Sequence, residues 1–110
     1  MNIINIILCN NKNDNIDIFK NYNPYIYTKR PYELIDGKFV NPPFFQIVIV
    51  NETSYIINVD IKLLYNTVIV EGLFIIPEKY YYLFDKSNFE TQKYKQYIII
   101  KKKNKYYLSF

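Results

Sequence analysis

A chain of 110 residues with 14 basic and 10 acidic side chains, one cysteine and no histidine has room for one core and a net charge of +4. It cannot build a Cys/His zinc site or an internal disulfide, and it lacks the usual general base near neutral pH. Half the residues are hydrophobic and 22% are charged, which excludes a disordered chain.

Ile, Asn, Lys, Tyr and Phe supply 67 positions, Ala is absent, and lysines outnumber arginines 13 to 1. These are the residue types of A- and T-rich codons, so the chain reads as the product of an AT-rich genome, such as that of a large DNA virus, plasmid, organelle or reduced parasite. Coding bias alone would enrich Tyr and Lys. The β-branched and aromatic residues together make 50 positions, which favours strands over helices.

In chain order, Ile3 to Cys9 and Asn15 to Phe19 read as strands around an Asn-rich loop. Cys9 ends an isoleucine run and reads as a buried, inert thiol. Asp36 and Gly37, set between Tyr32 to Ile35 and Phe39 to Val40, signal a two-residue hairpin. Pro42 and Pro43 interrupt pairing, and Phe44 to Val50 resumes as an apolar, central strand. Asn51, Glu52 and Thr53 form a glycosylation triplet that reads better as a turn.

From Ser54 to Lys62 the pattern alternates, with Tyr55, Ile57, Val59 and Ile61 on one strand face and Ser54, Asn58, Asp60 and Lys62 on the other, Ile56 being the exception. Val68, Val70, Phe74 and Ile76 line the next strand. Gly72 falls on that same face and implies a bulge or a close backbone approach. Glu71, inside this apolar run, is expected to face solvent.

Pro77 and Glu78 start a short helical turn, and Ser87 with Glu90 suggests a second by a capping box. Gln96 to Lys101 and Lys105 to Phe110 then read as a terminal hairpin around Lys102, Lys103 and Asn104. Short connections favour antiparallel pairing. The expected fold is therefore one all-β or β-dominated domain over residues 1–110, a small antiparallel meander of about six or seven strands. It would close into a barrel, OB-like in one realisation, or a two-layer sandwich, with one or two short helical turns near 77–94.

Two surfaces stand out. After Glu90 the chain carries six lysines and no acid. Lys93, Tyr94, Lys95, Tyr97, Lys101, Lys102, Lys103, Lys105, Tyr106 and Tyr107 interleave cations with rings, as single-stranded nucleic acid requires. Lysines on an edge hairpin also block aggregation. Tyr80, Tyr81 and Tyr82 cannot all face one core, so at least one should be exposed as a protein-contact residue.

The ten carboxylates are dispersed and form no metal-ligand loop, and two glycines cannot make a phosphate loop. The expectation is a non-enzymatic interaction or assembly protein without cofactor or metal: an accessory subunit, viral structural component or inhibitor of a host factor. The alternative is a single-stranded DNA or RNA binder using the basic C-terminal hairpin. The N-terminus lacks the features of a signal peptide and no run is long enough to span a membrane, so an intracellular location, cytoplasmic or virion-associated, is expected.

Overall fold

The computed structural model describes residues 4–31, 34, 45–54, 56–85 and 89–103. Its strands are β1 (Asn5–Leu8), β2 (Tyr25–Tyr27), β3 (Phe45–Val50), β4 (Val68–Pro77), β5 (Glu90–Tyr94) and β6 (Tyr97–Lys101). Among the described residues the helical elements with a full span are one α-helix, α1 (Asn58–Tyr65), and two 3-10 helices, Asp17–Tyr22 and Glu78–Leu83.

The strands form one six-stranded sheet in the order β2-β1-β3-β4-β6-β5. β2, β1, β3 and β4 run parallel to their neighbours, while β6 is antiparallel to both β4 and β5. The fold is thus sheet-dominated, as the composition implies, but the sheet is mixed and open rather than an antiparallel meander closed into a barrel. Parallel neighbours need crossovers, and α1 supplies the one between β3 and β4.

That helix corrects the strand expected over Ser54 to Lys62. Alternation would bury Ile57, Val59 and Ile61 together, yet the residues that are buried are Ile61, Leu64 and Tyr65, at spacings of three and four. Ile57 and Val59 face solvent. Likewise Asn15 to Phe19 is not a strand: it leads into the first 3-10 helix, from which Phe19 alone is fully buried.

Both sheet faces are covered, so the molecule has three layers. On one face Ile6, Leu8, Val48, Val50, Phe74, Ile76, Ile98 and Ile100 pack with Ile61, Leu64 and Tyr65 of α1 and with Leu34, Phe84 and Phe89. On the other, Ile7, Ile49, Ile75 and Tyr97 close around Phe19, with Ile16, Ile18 and Tyr22 beside them. Phe19 meets the Tyr97 ring edge-on at 4.8 Å between centroids. Each fully buried aliphatic or phenyl group contributes roughly 1.5–3 kcal/mol by leaving water.

Two local expectations hold. β3 is central, between β1 and β4. The register between β3 and β4 jumps from Phe45↔Val68 to Ile47↔Leu73, a bulge that ends at Gly72. A Cβ at Gly72 would lie 2.6 Å from the Gln46 carbonyl oxygen and 2.8 Å from that of Ile69, so the strand passes too close for any other residue. Within the bulge Glu71 has φ 70° and faces solvent, 3.4 Å from Lys101 Nζ.

The 3-10 helix Glu78–Leu83 realises the helical turn expected after Pro77, whereas Glu90 opens β5 instead of a second helix. A hairpin the sequence did not signal joins β5 and β6, where Tyr94 pairs with Tyr97 and Lys95 takes φ 54°, while Asn104 and the strand Lys105 to Phe110 of the expected terminal hairpin lie outside the described residues. Both edges of β6 are occupied, by β4 and β5. The Asp36–Gly37 hairpin, Ser87 and the segment 105–110 lie outside the described residues.

Candidate functional site

The basic hairpin is not a continuous strip of cations and rings. Tyr97 and Ile99 point to one sheet face and Ile98 and Ile100 to the other, so Tyr97 enters the core at 3% exposure. Lys102 continues the face of Ile98 and Ile100 and is buried too. Its Nζ donates to the carbonyls of Tyr65 at 3.3 Å and Val68 at 2.7 Å, and lies 4.8 Å from the Tyr65 ring centroid. A cation there meets the negative end of the α1 dipole. Burial pulls the Lys102 pKa down from its ordinary value.

Three further lysines are engaged by acids: Lys93 with Glu78 and Lys101 with Glu71, each at 3.4 Å, and Lys103 with Glu90 at 2.7 Å. The Glu90 contact raises the Lys103 pKa and lowers that of Glu90. Tyr94 and Lys95 remain at the surface, with Lys95 Nζ 5.8 Å from the Tyr94 ring centroid. Lys105, Tyr106 and Tyr107 lie outside the described residues.

The three consecutive tyrosines separate as their spacing on a short helix requires. Tyr80 and Tyr81 pack against the α1-side core, their hydroxyls bonded to the Ile56 carbonyl at 3.2 Å and to Thr91 Oγ1 at 2.9 Å. Tyr82 stands out at 69% exposure, as the sequence implies for at least one of the three. Its hydroxyl accepts from Asn58 Nδ2 at 2.6 Å, and the flanking Ile57 and Val59 are 59% and 48% exposed.

A second region, which sequence reading passed over, lies at the carboxyl ends of the parallel strands. β1 runs to β2 over the Phe19 face, while β3 runs to β4 through α1 on the opposite face. Connections of the same hand that travel in opposite directions must use opposite faces. Neighbouring β1 and β3 therefore part at their carboxyl ends, the place where open parallel sheets leave a crevice.

The rim of this crevice is cross-tied by side chains. Glu52 N–H donates to Tyr97 Oη at 3.1 Å, and that hydroxyl donates to Asn51 Oδ1 at 3.0 Å. Asn51 Nδ2 donates to Thr53 Oγ1 at 2.8 Å, which donates to Asp14 Oδ2 at 2.7 Å. The same carboxylate oxygen accepts the N–H groups of Asn10 at 2.8 Å and Asn11 at 2.9 Å. The loops after β1 and β3 are thus tied to each other and to β6.

These bonds hold the Asp14 carboxyl below its ordinary pKa, the Asn11 N–H first and the Thr53 hydroxyl next, while burial raises that of Tyr97. The 51–53 triplet is a turn, with Asn51 buried. Cys9, beside the rim, is buried, and desolvation with the nearby Asp14 charge pushes its thiol pKa up, which makes it a poor nucleophile.

On the α1 side of this rim a cavity of about 580 Å³ opens. Cys9 and Asn10 reach it from β1, residues 28–31 from β2, Ser54 from β3, and Ile57 and Asp60 from the start of α1. Among the described residues no group of three His, Cys, Asp or Glu side chains is placed to hold a metal ion, and no helix is long and apolar enough to cross a membrane. Comparisons with protein families, curated proteins and solved structures return no match.

Proposed function

We propose that this is a non-enzymatic interaction or assembly protein that docks a protein partner through the surface formed by Ile57, Val59 and Tyr82. The observation that carries the reading is the coincidence of three large exposed side chains around the Asn58–Tyr82 hydrogen bond. The two exposed aliphatic residues flank, in sequence, the residue to which the Tyr82 hydroxyl is bound, and groups of exposed apolar residues mark contact sites more often than single scattered ones. Tyrosine suits such a place, since it offers a broad rigid face and a polar tip at little entropic cost. The ridge is also firm, because Tyr80 and Tyr81 fix the 3-10 helix beneath Tyr82.

The nucleic-acid reading of the C-terminal hairpin has less support: Tyr97 and Lys102 are buried, and Lys93, Lys101 and Lys103 have acidic partners. Comparing the proteins retained from an extract of the source cells by two surface variants separates these readings. Ile57→Ser/Val59→Ser/Tyr82→Ser is expected to lose a partner that Lys93→Glu/Lys101→Glu/Lys103→Glu keeps. The reverse pattern would move the interface to the hairpin.

A further inference from the structure

We propose that the cavity at the carboxyl ends of β1, β2 and β3 binds a small phosphorylated sugar, with the phosphate toward β2 and the sugar hydroxyls toward α1. The topology puts the opening where parallel sheets receive ligands, beside the point at which neighbouring strands send their connections to opposite faces. Its volume, about 580 Å³, falls within the range of small-molecule sites.

Lys29 and the chain's single arginine, Arg30, line the β2 side. Both are exposed, and neither is within ion-pair distance of a described carboxylate, unlike the hairpin lysines. Their loop is anchored: the buried Tyr27 donates its hydroxyl to the Arg30 carbonyl at 2.9 Å, and the Tyr27 carbonyl accepts from Cys9 N–H at 3.1 Å. Two cations on a fixed loop, one with a planar fork, suit a phosphate monoester.

The β3 side has the opposite chemistry. There Asp60 of α1, which also accepts from Ile57 N–H at 3.4 Å, presents a carboxylate, Ser54 after β3 brings a hydroxyl, and Asn10 after the neighbouring β1 brings an amide. A bare polyanion filling the cavity would meet the Asp60 charge. A molecule with a phosphate at one end and hydroxyl donors at the other satisfies both sides.

The experiment is an amide-resolved NMR titration with AMP, ribose 5-phosphate, adenosine and inorganic phosphate as probes. Saturable shifts at residues 9–10, 28–30 and 54 with ribose 5-phosphate and AMP are expected, with adenosine and inorganic phosphate at least about tenfold weaker. Arg30→Gln and Lys29→Gln should each weaken ribose 5-phosphate about tenfold at an unchanged melting temperature, and Arg30→Lys should weaken it less than Arg30→Gln. The assignment is overturned by equal affinity for inorganic phosphate, by absence of saturation up to millimolar probe, or by shifts on Lys95, Lys101 and Lys103 that the Arg30→Gln variant leaves intact.

Discussion

Lys102 shows how one side chain can be misplaced when charge is read only as surface. It sits in a run of three lysines, but strand alternation carries it to the core face, where its ammonium bonds the Tyr65 and Val68 carbonyls. Its folded pKa lies below the ordinary lysine value because burial disfavours the charged form. Between the folded and ordinary values the unfolded chain binds more protons, so stability rises with pH across that window, and below it the burial penalty persists in full. Lys102→Met should abolish this alkaline rise in urea-unfolding stability.

Tyr97 is the second such residue. A ring expected to stack on bases instead fills the core against Phe19, and its hydroxyl joins Asn51 to the Glu52 backbone. Tyr97→Phe keeps the ring and removes the bonds, leaving the buried Asn51 carbonyl without that donor. A loss of about 1–3 kcal/mol in chemical denaturation is expected. A loss below measurement error would mean that water replaces the hydroxyl at no cost.

Among the elements, the apolar runs were the legible ones. The apolar run Ile47 to Val50, in a segment interrupted only by Gln46, marks a strand covered on both faces, and Gly72 on the buried face of β4 marks a close approach. Gly72→Ala should cost about 1–3 kcal/mol, because the neighbours that must yield include two backbone oxygens. Helix α1 was hidden because Tyr55, Ile57, Val59 and Ile61 alternate, with Ile56 the one exception, while Ile61, Leu64 and Tyr65 supply only a few helical spacings. The two assignments differ in what they bury. Ile61→Ala should destabilise by about 2–5 kcal/mol and Val59→Ala by no more than about 0.5 kcal/mol. Equal losses at the two positions would restore the strand.

At the scale of the whole molecule, composition identified a sheet but not its direction. Parallel pairing depends on which face each crossover takes, and that is set by contacts such as Phe19 with Tyr97, far apart in sequence. The switch from parallel to antiparallel at β4 follows from a two-residue turn at Lys95 and Gln96 that carries no Gly or Asn signal. The crevice rim was equally hidden: Asp14 and Thr53 are 39 positions apart and meet only because β1 lies beside β3. The exposure of one tyrosine among Tyr80 to Tyr82 was legible, since a short helix cannot bury three consecutive rings; its pairing with Ile57 and Val59 required the fold.

The surface around Tyr82 is the central claim, and site-specific photo-crosslinking inside the source cells tests it directly. A photoreactive phenylalanine at position 82 should give a discrete protein adduct, and the same residue at position 94 on the hairpin should give none. An adduct from position 94 and none from position 82 would contradict the account and return the function to the lysine-rich hairpin.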